Sequence, residues 1–357
     1  MRRAIELART ALGQTSPNPV VGCVILDPDG VPVGEGFHRG AGHMHAETEA
    51  LASAGARARG ATAVLTLEPC AHHGRTGPCA DALLAAGIGR VVYAVPDPNP
   101  AAAGGAERLR AAGVPVRSGV LRAEAERGNE LWLTAVRRAR LCVTWKFGGS
   151  LDGRSAAPDG TSRWITGPAA RRDAHALRAA HDAVLVGSGT LAADDPQLGL
   201  RHGVAGRAPL RVVLDRGGAI RSDARVLDDA APTLVAIAKG ADRPRIPRRH
   251  EVLELPSADG ALDLRALTDE LYARGLRSVL LEGGARLAAS FAARGLLDRV
   301  VGYLAPLLLG SAARPVLDDF GASALADGQR FQLDDVRRLD EDVRLTLRAT
   351  PLPGEPA

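Results

Sequence analysis

Apolar residues recur along the first half of the chain at two different spacings. Short runs rich in valine, leucine and isoleucine predict buried strands: VGCVILD, VGEGFH, ATAVLTLE and RVVYAV. Between them, helical spacing predicts helices over 3–12, 46–58, 79–86 and 106–112, and a long charged helix over 121–139. We expect this last helix to bridge two domains.

The second half alternates strands and helices again. Strand-like runs are LCVTWKF, DAVLVG, LRVVLD, TLVAIA, RSVLLEGG and RVVGYLA, and helix-like runs cover 168–180, 262–274 and 285–294. This order predicts a mainly parallel sheet covered by helices on both faces. At 357 residues the chain suits two domains, which we place at 1–140 and 141–357. The tail LPGEPA is expected to be disordered.

Composition narrows the possible functions. The hydrophobic fraction is 46% and the aromatic fraction only 3%, so alanine, leucine and valine must build both cores. The net charge of +4 is too small for a nucleic-acid scaffold, but it suits small anionic ligands such as phosphates. Of the 45 lysine and arginine residues, only Lys146 and Lys239 are lysines. Retention of Lys146 suggests a need for a compact point charge.

Four cysteines in a chain of this length do not form a disulfide framework. The N-terminal segment MRRAIELARTALG is typical of an amphipathic helix and lacks the apolar core of a signal peptide. The longest apolar stretch, around 303–309, is interrupted by Pro306 and is too short to span a membrane. We therefore expect a cytoplasmic protein with no membrane partner.

Histidines and cysteines cluster in one part of the first half. Five of the nine histidines lie between positions 38 and 73, and Cys70 and Cys79 lie close to them. One imidazole and two thiolates suit zinc, so His45, Cys70 and Cys79 are the candidate ligands, and they leave a fourth tetrahedral position open for water. Cys23 and Cys142, each alone in a strand, are interpreted as buried core cysteines.

Glu47 follows His45 by two residues and is interpreted as a proton shuttle beside the metal, not as a fourth ligand. The pattern His-Ala-Glu, followed by Pro-Cys and a second cysteine, is the signature of zinc deaminases that act on nucleobases. Such enzymes usually have two residues between the cysteines, whereas eight intervene here. The longer loop carries His72, His73 and Arg75, which could hold a substrate phosphate.

These motifs resemble a known family along nearly the whole chain. SPNPVVGCVI, GEGFH, HAE, TLEPCAHHGRTGPC and DPNP resemble the deaminase half of the bifunctional riboflavin-biosynthesis deaminase/reductases. TWKFGGSLDGR, SRWIT, ARRDAHALR, GSGTLAADDPQL and LLEGGARLAASF resemble the reductase half. The resemblance implies a cytidine-deaminase-like three-layer α/β/α domain and a dihydrofolate-reductase-like α/β domain.

The same resemblance implies the chemistry and the residues that perform it. A phosphoribosyl diaminopyrimidinone is deaminated with Zn²⁺, and its ribose is then reduced with NADPH to a ribityl chain. The zinc ligands would be His45, Cys70 and Cys79, with Glu47 as the proton donor. The deaminase substrate would contact Asn18, His38, His72 and Arg75. His43 and His73 would be exposed and not ligands.

In the reductase half, the resemblance assigns Ser162, Arg178, Arg201 and Glu282 to the substrate. The cofactor-contacting residues would be Lys146, Gly148, Trp164, Thr190, Asp194, Gly284, Ala285, Arg286 and Leu287. The Gly283–Gly284 pair between a strand and a helix has its own physical reason, because glycines let a phosphate approach the N–H groups of a helix start. Plain turn chemistry would explain the same pair.

Several positions depart from the family pattern. Glu49 replaces a frequent histidine, Gly199 a usual threonine, and Leu307 a common lysine. Arg216 stands where a small hydroxyl residue is usual, and it could contact the cofactor phosphate or obstruct it. Two alternatives therefore stay open: a deaminase with a degenerate, non-reducing second domain, and a non-catalytic zinc-stabilised binding protein. A homo-oligomer, dimer or tetramer, is expected.

Overall fold

The computed structural model describes residues 1–72 and 77–350. The chain divides into two compact units, Met1–Ala139 and Arg140–Ala357. In the described residues, no helix is both long and apolar enough to cross a membrane. Each unit is described by itself below.

The first unit is built on a five-stranded sheet with the order β2-β1-β3-β4-β5. The strands are β1 (Gly22–Leu26), β2 (Pro32–Phe37), β3 (Thr62–Leu67), β4 (Arg90–Val95) and β5 (Val116–Arg117). The helices are α1 (Arg2–Arg9), α2 (Ala46–Ala54), α3 (Cys79–Ala85), α4 (Gly105–Ala111), α5 (Arg122–Gly128) and α6 (Glu130–Arg138). Strands β3, β4 and β5 are parallel, so their carboxyl ends share one edge.

Glycines show how helices cover both faces of this sheet. A Cβ on Gly22 would lie 2.0 Å from the carbonyl oxygen of Ala4 in α1. A Cβ on Gly36 would lie 2.4 Å from the carbonyl oxygen of Ala46 in α2. Gly36 pairs with Cys23, the strand neighbour of Gly22, and successive residues of a strand face opposite sides. Helices α1 and α2 therefore lie on opposite faces, which gives three layers.

The second unit contains a nine-stranded sheet with the order β11-β10-β9-β8-β14-β6-β15-β18-β17. Its strands and those of two small ribbons are β6 (Cys142–Ser150), β7 (Arg154–Ala156), β8 (Ala183–Gly187), β9 (Leu210–Leu214), β10 (Thr233–Ala238), β11 (Glu251–Leu255), β12 (Ser257–Ala258), β13 (Ala261–Leu262), β14 (Ser278–Leu281), β15 (Arg299–Ala305), β16 (Arg314–Pro315), β17 (Phe331–Leu339) and β18 (Asp342–Ala349). The helices are α7 (Pro168–Ala180), α8 (Ser188–Asp194), α9 (Leu264–Ala273) and α10 (Ala285–Ala293).

The first seven strands in this order, β11, β10, β9, β8, β14, β6 and β15, are parallel to one another. Strands β18 and β17 add an antiparallel edge next to β15. Leu281 of β14 packs in one cluster with α9 and α10, whereas Leu280 packs in another with α7. The predicted mainly parallel sheet with helices on both faces is confirmed. The tail 351–357 lies outside the described residues.

One sequence prediction was wrong at the end of the first unit. The predicted helix over 121–139 is two helices, α5 and α6, which meet at Asn129. Asn129 has φ −122° and ψ 19°, which is not helical, and its side-chain oxygen accepts a hydrogen bond from the Val20 amide. A buried side chain that bonds to distant backbone therefore interrupts a pattern that is helical throughout.

Candidate functional site

The zinc-ligand candidates converge although they come from three separate elements. His45 immediately precedes α2, Cys70 follows β3, and Cys79 is the first residue of α3. Helix α2 lies directly against β2, where the absence of side chains on Gly34 and Gly36 permits backbone contact. This packing brings the start of α2 to the carboxyl edge of β3.

The geometry of these three residues fits a zinc ion. His45 Nδ1 lies 3.1 Å from Cys79 Sγ and 3.7 Å from Cys70 Sγ, and all three ligand atoms lie within 4.8 Å of one another. Ligands bound at about 2.0–2.3 Å from a tetrahedral ion stand about 3.3–3.8 Å apart, so the spacing suits a single ion. In the described residues, the set offers three ligands and no fourth.

The pKa values of the two thiols move apart. The pKa of Cys70 is lowered to about 4, first because the Cys79 thiol donates a hydrogen bond to it and also because His45 lies beside it. The amide of Cys79 also donates to Cys70 Sγ at 3.3 Å. The pKa of Cys79 is raised, because its thiol supplies that proton and is buried. Thiolate character at Cys70 favours metal binding.

Glu47 lies in the first turn of α2 and is 3% exposed. Burial raises its pKa to about 7, against the usual value of 4.5, and the charge of Cys70 adds to the rise. A carboxyl group with a pKa near neutrality can both accept and release a proton, which is what a proton shuttle requires.

Asn18 and His38 adjoin the ligand cluster. The His38 ring lies 5.3 Å from the His45 ring, and its Nδ1 donates to the carbonyl oxygen of Met44 at 3.1 Å. With that tautomer, His38 Nε2 accepts a hydrogen bond from the Asn18 amide at 3.0 Å. The His38 ring is buried with both nitrogens bonded, and it orients Asn18, whose carbonyl oxygen is then left for a ligand.

The long cysteine loop is only partly described. His72 and His43 are exposed, and neither belongs to the ligand cluster of the described residues. Arg75, predicted to contact the substrate, and His73 lie outside the described residues. Cys23 and Cys142 are fully buried in β1 and β6, as predicted for core cysteines.

Two acidic residues at this edge did not emerge from the sequence. Glu68, directly after β3, accepts hydrogen bonds from the amides of Asp97, Gly104 and Ala106. Asp97, after the parallel strand β4, has a pKa raised to about 6, mainly by burial. Their signal in the sequence was an acid shortly after each of two neighbouring parallel strands, which places both at one edge.

A second cluster of charges lies in the second unit. Glu282 directly follows β14, and its carboxylate binds Lys146 of β6 at 3.1 Å and the Arg178 guanidinium of α7, also at 3.1 Å. Burial alone would raise the pKa of Glu282, but the charges of Arg178 and Lys146 outweigh it and hold the pKa well below its usual range. Three residues predicted from separate motifs therefore meet.

Arg201 belongs to the surroundings of this cluster. Its pKa is lowered, first by burial and then by the charges of Arg178 and Arg225. Its backbone amide donates to His175 Nδ1 at 3.1 Å. The carbonyl oxygen of Gly199 accepts a hydrogen bond from Arg178 at 2.9 Å, a contact that needs no side chain. The loss of threonine at position 199 therefore leaves this contact intact.

Five further reductase candidates lie around the starts of α8 and α10: Thr190, Gly284, Ala285, Arg286 and Leu287. Gly284 precedes α10, its amide donates to Thr190 Oγ1 at 3.2 Å, and the next residues, Ala285, Arg286 and Leu287, form the first turn. Among the described residues the amides of Ala285 and Arg286 have no hydrogen-bond partner, so these two N–H groups at the helix start suit a phosphate. A Cβ on Gly283 would lie 2.7 Å from the Leu287 side chain, so glycine keeps this turn close to the helix.

Other candidates are more exposed. Trp164 is 70% exposed, with the Arg171 guanidinium 4.3 Å from its ring centroid. Asp194, at the end of α8, pairs with Arg163 at 3.3 Å. Ser162 is exposed, and among the described residues it forms no hydrogen bond with another predicted site residue. Gly148 lies in β6, where a Cβ would contact Thr166 at 3.4 Å.

The two units thus define a class of protein: a zinc-dependent nucleobase deaminase joined to a nucleotide-dependent reductase. Residues 1–95 match the cytidine and deoxycytidylate deaminase zinc-binding region, and residues 142–345 match the RibD C-terminal domain. The riboflavin biosynthesis protein RibD of Mycobacterium tuberculosis is 45% identical, over 98% of this chain and 96% of its own length. The chain belongs to the RibD family.

Solved structures agree with this membership. Acinetobacter baumannii RibD superposes with a TM-score of 0.86 at 41% identity and covers 98% of each chain. A diaminohydroxyphosphoribosylaminopyrimidine deaminase/5-amino-6-(5-phosphoribosylamino)uracil reductase of Thermotoga maritima gives 0.88 at 36% identity, over 98% of this chain and 97% of that one. The protein is therefore a bifunctional deaminase and reductase of riboflavin biosynthesis that uses zinc and NADPH, and the two alternative interpretations are not favoured.

Proposed function

We propose that residues 1–140 deaminate 2,5-diamino-6-(5-phosphoribosylamino)pyrimidin-4-one by hydrolysis, and that residues 141–357 reduce the ribosyl group of the product to a ribityl chain. The single observation that carries the first step is the convergence of His45, Cys70 and Cys79 beside buried Glu47. The named substrate agrees with the relative from Thermotoga maritima.

In the deaminase site, His45, Cys70 and Cys79 would hold the zinc ion. When bound, zinc supplies a water molecule whose pKa is near neutrality. Glu47 takes one proton from the attacking water and gives it to the ring nitrogen, and it then takes the second proton of the same water and gives it to the amino group, which leaves as ammonia. Asn18, held by His38, orients the pyrimidine through its free carbonyl oxygen. His72 and Arg75 are proposed to bind the substrate phosphate.

In the reductase site, Arg178, Arg201, Glu282 and Ser162 are proposed to bind the phosphoribosyl substrate. NADPH supplies the hydride when it is bound. The cofactor-binding residues are proposed to be Lys146, Gly148, Trp164, Thr190, Asp194 and residues 284–287. Lys146, which pairs with Glu282, is proposed to lie between the substrate and the nicotinamide. We also propose a cytoplasmic homo-oligomer, dimer or tetramer.

Incubation of the purified protein with the phosphoribosyl substrate, with and without NADPH, tests both steps. We expect ammonia release in both samples and loss of nicotinamide absorbance only after deamination. A Lys146→Gln variant should release ammonia normally while NADPH consumption falls. Ammonia release without NADPH consumption by the unaltered protein would instead support a degenerate second domain. Bound zinc without ammonia release would support a binding protein.

A further inference from the structure

The turn that carries Asn18, residues 17–20, has few backbone hydrogen bonds of its own. Asn18 stands between Pro17 and Pro19, and a proline has no amide N–H to donate. The Asn18 amide donates to the carbonyl oxygen of Thr15 at 2.9 Å. The carbonyl oxygen of Pro17 and the amide of Val20, on either side of Asn18, need partners from elsewhere in the chain.

The start of helix α6 supplies both partners. The indole N–H of Trp132 donates to the carbonyl oxygen of Pro17 at 3.0 Å. The side-chain oxygen of Asn129, the residue before α6, accepts from the Val20 amide at 3.3 Å. Trp132 is 7% exposed and Asn129 is 8% exposed, so both side chains are held in place by packing. The two bonds fix the backbone one residue before Asn18 and two residues after it.

An ordinary capping role does not explain Asn129. Asparagine is common before a helix because its side chain accepts a hydrogen bond from one of the first amides of that helix. Here the side chain of Asn129 forms no such capping bond with α6. Its oxygen binds the Val20 amide instead, 109 positions away along the chain. The side chain of Asn129 therefore serves the turn and not its own helix.

Asn18 is consequently fixed at both its backbone and its side chain, by different parts of the first unit. Asn129 and Trp132 hold the backbone around it, and its side-chain amide donates to His38 Nε2 at 3.0 Å. A group that is fixed before its ligand arrives loses little conformational entropy on binding, so preorganisation increases affinity. The geometry thus connects α6 to how tightly the pyrimidine binds.

We propose that Asn129 and Trp132 are positioning residues of the deaminase, which hold the turn of residues 17–20 so that Asn18 is ready to bind the pyrimidine. The inference rests on the deaminase function proposed above, and within it on the contact between Asn18 and the pyrimidine. Because these two residues act on substrate binding and not on Glu47, their loss raises KM and leaves kcat unchanged.

Two substitutions in the full-length protein test the proposal. Trp132→Phe removes the N–H donor and keeps an aromatic ring in the core, and Asn129→Leu removes the oxygen at nearly constant volume. With the phosphoribosyl substrate, each should raise the KM for ammonia release about 3- to 10-fold, which corresponds to one hydrogen bond. We expect kcat to stay within about twofold and the zinc content to be unchanged. Trp132→Phe decides the matter alone if thermal unfolding shows that Asn129→Leu does not fold.

A double-mutant cycle with Asn18→Ala separates positioning from a general effect on the fold. If Trp132 acts through Asn18, Trp132→Phe should change KM by less than about twofold once Asn18 is alanine. Val136→Ala is the matched control, because Val136 lies on the same helix and packs against the same core, but its side chain has no polar atom that could bond to the turn. It should lower stability and leave KM unchanged with either residue at position 18.

An equal rise of KM from Trp132→Phe with and without the Asn18 side chain would overturn the proposal, because the effect would then not pass through Asn18. An unchanged KM in both Trp132→Phe and Asn129→Leu would overturn it as well. If the unaltered protein released no ammonia from the phosphoribosyl substrate, the deaminase function itself would fail, which is a different result from either of these.

Discussion

At the scale of single residues, the deaminase chemistry depends on one buried carboxyl group. We predict that the Glu47→Gln variant still binds zinc but that its rate of ammonia release falls about 10²- to 10⁴-fold. Glutamine has the same shape as glutamate but cannot transfer a proton. Metal analysis together with an ammonia assay checks this. Glu49→Gln, on the same helix, is the control: Glu49 binds the Phe37 amide and Arg39 instead. Full activity of Glu47→Gln would exclude the shuttle role.

His181 provides a prediction about stability and pH. It is 2% exposed, donates from Nδ1 to the Leu177 carbonyl oxygen at 2.7 Å and accepts from Thr144 at Nε2. Burial lowers its pKa from 6.5 to about 4. As the pH falls, His181 is therefore protonated in the unfolded chain before it is protonated in the folded chain. Its contribution to the free energy of unfolding is complete above pH 6.5 and is lost progressively toward pH 4.

The expected loss from His181 is up to about 3 kcal/mol over that range. Urea unfolding of the second unit at pH 7 and pH 4 measures it. His181→Gln should lower stability at pH 7 and flatten the pH dependence, because glutamine does not titrate in this range. An unchanged pH dependence in the variant would show that His181 does not contribute.

At the scale of elements, the zinc ligands depend on the contact between α2 and β2. Gly36→Ala would place a Cβ 2.4 Å from the carbonyl oxygen of Ala46, immediately after His45. We predict a loss of about 1–3 kcal/mol in stability and weaker zinc binding, because the start of α2 must move. Calorimetric unfolding and zinc titration measure the two effects.

Gly217→Ala controls for the general effect of replacing glycine, because a Cβ at that position meets nothing within 4 Å. It should change neither stability nor zinc affinity appreciably. If Gly36→Ala bound zinc as tightly as the unaltered protein, the position of α2 would not depend on this contact.

At the scale of the whole molecule, each unit has its own hydrophobic core. We therefore predict that removal of zinc by a chelator abolishes ammonia release but leaves reduction intact when the deaminated product is supplied. Parallel assays of ammonia and nicotinamide absorbance check this, and added zinc should restore deamination. A parallel loss of both activities on chelation would show that the second unit depends on the metal.

Much of the fold could be predicted from the order of strands and helices. The parallel arrangement of β6, β8, β9, β10, β14 and β15 followed from runs of apolar residues separated by helices. The antiparallel strands β17 and β18 were not predicted, because their residues are mostly half-exposed or exposed and give no buried run. The break at Asn129 was missed because its cause is a hydrogen bond to Val20, more than a hundred residues away.

Residue types and spacing along the chain determined the family, the two activities and the choice of His45, Cys70, Cys79 and Glu47, because these motifs are local and the chemistry needs those side chains. Only the tertiary structure decided which groups face each other. It paired Glu282 with Lys146 and Arg178, and used His38 to hold Asn18. Such contacts depend on how distant strands pack and on the burial that packing creates, which local sequence does not encode.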